Sequence, residues 1–87
     1  MSTATVNTAE IGLGTLTWWH RGWLEYALRL ETPDGTYEAV EDSWFAALAT
    51  IARDLPGALP VPTDYARAEN AAEHRQQWTT WLASTFG

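Results

Sequence analysis

Side chains able to move protons, hold a metal or attack an electrophile are scarce in this chain, and their spacing supports little chemistry. His20 and His74 are the two histidines. An imidazole near its ordinary pKa could act as a general acid or base, or as a pH switch. His20 has no carboxylate or nucleophile set beside it by the sequence. It reads more simply as a turn-flanking residue bonded to water. His74 follows Glu73, and Glu69 and Glu73 share one helical face. His74 itself is turned by about 100° from Glu73 on a helix. A zinc site needs three or four converging ligands, so this group reads as a solvated helical face. Ser43 and Ser84 have no histidine nearby in the sequence, and Ser43 suits a helix cap better than a nucleophile. Glu25 could be raised in pKa by apolar neighbours, but no second carboxylate opposes it, as glycoside hydrolysis would require. Gly12-x-Gly14 lacks the third glycine and the following helix of a dinucleotide fingerprint. It marks a bulge or a close backbone approach. The expectation is a protein that is not an enzyme and carries no cofactor and no metal.

Composition narrows the choice of partner. The chain has 87 residues, a formal charge of −6, six tryptophans and no cysteine. That length is one domain near the lower limit of self-sufficiency, so its core must be dense. Without cysteine there are no disulfides, thiolate metal sites or thiol catalysis. The five basic residues, Arg21, Arg29, Arg53, Arg67 and Arg75, are scattered. Phosphate backbones are bound by clustered cations, so nucleic acid is not an expected partner. A basic protein is more natural, although the charge could serve solubility alone. The start of the chain has no basic segment followed by an apolar run, so no signal peptide is expected. No apolar run approaches the ~18 residues of a membrane span. A cytoplasmic location fits these features.

The tryptophans concentrate at Thr17-Trp18-Trp19-His20-Arg21-Gly22-Trp23. Residues 11–20 and 23–31 read as strands around an Arg21-Gly22 turn. A two-residue loop would oppose His20 to Trp23, Trp19 to Leu24 and Thr17 to Tyr26. Opposed residues share a face. Leu13, Trp19, Leu24, Tyr26, Leu28 and Leu30 would then face the core. Leu16, Trp18, His20, Trp23, Glu25, Ala27 and Arg29 would face outward. A one-residue slip would exchange the faces of the first strand. Thr32-Pro33-Asp34-Gly35-Thr36 reads as a second hairpin turn. With a three-residue loop it would set Leu28 opposite Val40 and Leu30 opposite Glu38. Tyr37 and Ala39 would join the outer face.

Asp42 or Ser43 can cap a helix in which Trp44, Phe45, Leu48, Ile51, Ala52 and Leu55 recur at helical spacing. Pro56-Gly57 ends it. A stiff connection follows, and Thr63 or Asp64 would cap a second helix with Trp78, Trp81 and Leu82 in its later half. The expected fold is α+β: a three-stranded antiparallel sheet (about 11–20, 23–31 and 36–41) and two helices (about 43–55 and 64–84), in the order β-β-β-α-α. Residues 1–9 would be a flexible tail and residues 10–87 a single domain.

The leading functional expectation is a small, acidic, bacterial-looking protein-interaction module, such as an immunity- or antitoxin-like inhibitor of a basic partner. The partner could be a second copy of the chain. Contact would run through an aromatic sheet face of Leu16, Trp18, Trp23 and Tyr37, since Trp and Tyr are enriched at binding hot spots. The acidic residues Glu31, Asp34, Glu38 and Glu41 would form a steering rim. The competing expectation is a small-molecule-binding or enzyme-accessory protein. In it Trp18, Trp23 and Trp44 would line a pocket, and Glu25, Arg29 or His20 would fix the ligand. A shallow aromatic patch would favour the first, and a concave pocket with converging polar groups the second.

Overall fold

A computed structural model describes residues 7–55, 57–62 and 66–87. The sheet has four antiparallel strands in sequential order. They are β1 (Asn7–Glu10), β2 (Thr15–Gly22), β3 (Glu25–Thr32) and β4 (Gly35–Glu41), followed by helices α1 (Trp44–Ala52) and α2 (Ala71–Phe86). The expected three-stranded sheet is therefore corrected to four. Residues 7–9, assigned to a tail from sequence, open β1, while residues 1–6 lie outside the described residues. The glycines make this turn possible. Gly12 takes φ +82°, and Ile11 N donates to Gly14 O at 3.0 Å. A Cβ on Gly14 would run into the backbone carbonyl of Glu31 on β3. Gly14→Ala should accordingly cost roughly 1–3 kcal/mol by overpacking, read as a lowered denaturation midpoint with an unchanged denaturant slope.

The β2–β3 hairpin is shifted by three residues from the expected pairing and the β3–β4 hairpin by one. His20 pairs with Tyr26, Trp18 with Leu28 and Leu16 with Leu30, and the register shifts between His20 and Gly22. The loop is Trp23-Leu24, with Leu24 at φ +61°. Leu16 and Trp18 thus face inward, Trp18 being only 5% exposed, and Trp19 faces outward. Burial decides the matter. One set of alternate β2 residues offers Leu16 and Trp18, whereas the other mixes Thr15 and Thr17 with Trp19. Only the first makes a continuous apolar row.

On β4, Leu28 pairs with Ala39 and Leu30 with Tyr37. Tyr37 and Ala39 therefore turn inward and Val40 outward. The expected pairing would have put Glu38 in the core, an unpaired charge of high cost. Here Glu38 lies outward opposite Arg29, whose Nη2 approaches its Oε2 at 2.9 Å. Thr32 pairs with Gly35, so the loop has two residues. Thr32 Oγ1 accepts from the backbone N–H of both Asp34 and Gly35 at 3.1 Å.

The two helices cover the inner face. Ser43 caps α1, its Oγ accepting from Ala46 N at 3.0 Å. Trp44, the first residue of α1, pins the helix to the sheet. Its Nε1 donates to Ala27 O at 3.0 Å and to Trp19 O at 3.2 Å. Trp78 on α2 meets Trp18 edge to face at 6.0 Å, and Leu16, Leu28, Leu30, Leu48 and Ile51 fill the centre. α2 begins at Ala71 rather than near residue 64. Asn70 caps it, Oδ1 accepting from Glu73 N at 2.8 Å, and Glu73 Oε1 accepts from Glu69 N at 2.7 Å. The expected caps Thr63 and Asp64 lie outside the described residues. On the outer face, Arg29 sits over the Trp19 ring, 5.3 Å from its centroid.

Candidate functional site

The site expected from sequence does not assemble. Leu16 and Trp18 are buried in the core, and half-buried Tyr37 packs against it. Of the aromatic set, Trp23 alone is open to solvent, at 88% exposure. The acidic residues are elsewhere. Glu31 and Asp34 are exposed around the β3–β4 turn, Glu38 is held by Arg29, and Glu41 accepts from Thr50 Oγ1 at 3.0 Å. Successive hairpin turns lie at opposite ends of an antiparallel sheet. The length of β3, about 26 Å for eight residues at ~3.3 Å each, therefore separates Trp23 from Asp34. An aromatic face with an acidic rim is not the surface this chain presents.

A cleft of about 510 Å³ opens instead at the Trp23 end. Three stretches of chain build it. The β2–β3 tip supplies His20, Trp23, Leu24 and Tyr26, and the β4–α1 joint supplies Asp42 and Ser43. Residues 67–71 lead into α2, whose first turns add His74 and Gln77. Of the pocket residues expected from sequence, Trp23 and His20 line this cleft. Trp18 and Trp44 are core, and Arg29 lies on the outer sheet face.

His74 is the structural centre of the wall. It is 5% exposed, stacks on Trp44 at 5.0 Å and meets the edge of Tyr26 at 4.7 Å. Its Nε2 accepts from the backbone N–H of Trp44 at 2.9 Å. That N–H is one of the donors a helix N-terminus leaves unpaired, so α2 caps α1 through this ring. An accepting Nε2 carries no proton, which places the imidazole proton on Nδ1. Burial lowers the pKa of His74, with a smaller lowering from neighbouring His20, against the opposing effects of a hydrogen bond with the Gln77 side chain and of Asp42. His74 is therefore a neutral, load-carrying hydrogen-bond acceptor and not the solvated residue expected from sequence.

His20 stacks on the other side of the same group, 4.3 Å from Tyr26 with the rings within 11° of parallel. Its Nε2 is buried without a hydrogen-bond partner among the described residues. Gln77 Nε2 donates to Ala66 O at 2.9 Å. That bond fixes the amide, since the reverse orientation would set two carbonyl oxygens against each other. Among the described residues no group of three His, Asp or Glu could hold a metal ion. Nor is any helix among them long and apolar enough to cross a membrane.

What the fold and site define is a class of architecture: a four-stranded meander, two helices on one face, and an aromatic, acceptor-lined cleft at one end. No family model, curated protein or solved structure matches the chain.

Proposed function

We propose that this chain is a non-enzymatic protein-interaction module of the inhibitor kind, which docks on a basic partner through the Trp23 end of the molecule. The observation that carries this reading is Trp23 itself, 88% exposed at the lip of the cleft and followed by Leu24 at φ +61°. A left-handed conformation at a bulky residue is costly, about 1–2 kcal/mol. Leu24 is also 48% exposed, so the strained tip returns little buried area to the fold. Tryptophan is the most characteristic hot-spot residue, and the charge of −6 would speed encounter with a cationic surface. The same charge disfavours pairing of two identical ends. The alternative, small-molecule binding, is favoured by the size of the cleft, which falls in the ~300–1,000 Å³ of ordinary ligand sites.

Trp23→Ser should change stability by no more than about 0.5 kcal/mol, as for a surface substitution. The same change should abolish capture of a partner that the unaltered chain retains at low salt and releases at high salt. Failure to retain any protein at low salt, with a clean monomer by light scattering, would overturn the proposal.

A further inference from the structure

Resting on the partner-binding reading, we infer that the cleft is the receptor for one arginine side chain of that basic partner. Its walls supply π-faces and hydrogen-bond acceptors. The faces come from the exposed Trp23 and from the parallel His20–Tyr26 pair. The acceptors are the carboxylates of Asp42 and Glu69 and the amide oxygen of Gln77. That oxygen draws on the N–H of the neighbouring His74 ring and keeps a second lone pair for a guanidinium N–H, while its own amide nitrogen is engaged by Ala66 O. A guanidinium is planar, stacks on aromatic rings and carries five N–H donors and no acceptor. It answers this lining group by group. An ammonium group lacks the flat face, and an anion would meet two carboxylates. Arg67 stands on the same wall and leaves a surplus of one carboxylate. His74, held neutral by the Trp44 N–H, adds no opposing charge.

The probe is a short blocked peptide, acetyl-Gly-Arg-Gly-amide, compared with the same peptide carrying citrulline, which keeps the shape and loses the charge. Binding is followed by two-dimensional NMR of the full chain through the Trp23 indole N–H and the Gln77 side-chain amide. The arginine peptide should shift both signals saturably in the millimolar range. The citrulline peptide should bind at least about tenfold more weakly, a difference of one step on the affinity scale. Asp42→Asn, at an exposed position, should weaken the arginine peptide several-fold without altering the rest of the spectrum. Equal binding of the two peptides, shifts confined to other surfaces, or no saturable shift would each overturn the inference. Partner capture that depends on Trp23 while the peptide fails to bind would leave the docking reading standing and remove only the arginine.

Discussion

Trp18→Ala is expected to destabilise the protein by roughly 3–5 kcal/mol, the range for deleting a large aromatic from a core. Trp19→Ala should cost only about 1–2 kcal/mol, the value of a partly exposed ring and its cation–π contact. The neighbours differ because alternate residues of a strand face opposite ways. Trp18 is 5% exposed and packs on Trp78 of α2, whereas Trp19 lies on the open face beneath Arg29. At the usual ~0.05–0.15 kcal/mol per residue, the total stability of a chain of 87 residues is about 4–13 kcal/mol. The Trp18 variant should therefore approach the unfolding threshold at ambient temperature. Denaturant melts of the two variants, compared at equal slope, test this. If the order of the two losses were reversed, β2 would have the Trp19-inward register.

The same pair of residues shows what could be read from the sequence and what could not. The inward placing of Tyr26, Leu28 and Leu30 follows from alternation and stands in the structure, though Leu24 of the same expected set is exposed; of the two caps that the chemistry allows for α1, Asp42 and Ser43, it is Ser43 that serves. Register is not set by the turn residues. Arg21-Gly22 resembles a two-residue loop, but Gly22 pairs with Glu25 and the chain turns at Trp23-Leu24. A left-handed leucine is not a motif that local chemistry would select. The better guide lay in charge. Any pairing that buried Glu38 was unfavourable, and setting it opposite Arg29 fixes β3 against β4. The start of α2 does not fall where the sequence reading puts it: the cap signal, Asn70 followed three residues later by Glu73, is obscured by the polar helix-forming residues before it. The cleft was not legible, because the three stretches that line it, 20–26, 42–43 and 67–77, are remote in sequence and meet only when every register is right. His74 stands four residues before Trp78 and eight before Leu82, in register with the buried stripe of α2, but its polar neighbours Glu73, Arg75 and Gln76 mask that signal. Its role depends on a backbone N–H thirty residues away.

That role yields the second large effect. His74→Ala should cost about 2–4 kcal/mol, combining a core cavity with an unpaired buried N–H at the start of α1. His74→Gln, which can still accept from Trp44 N, should lose less. Acid should act through the same bond. The neutral ring accepts from Trp44, and burial lowers the folded-state pKa below its ordinary value of 6.5. Below pH 6.5 the unfolded chain therefore binds the proton more readily than the folded one. The stabilising contribution is complete above that pH. It is lost progressively as pH falls from the unfolded value toward the lower folded one, with a slope no steeper than about 1.4 kcal/mol per pH unit for a single proton. Protonated Nε2 cannot accept a hydrogen bond, so the step that neutralises this stability also unlatches α2 from α1 and opens the cleft wall. Stability measured from pH 7.5 to 5 should fall in the unaltered protein, and this component should be absent in His74→Gln. An identical pH dependence in both would remove His74 as its source.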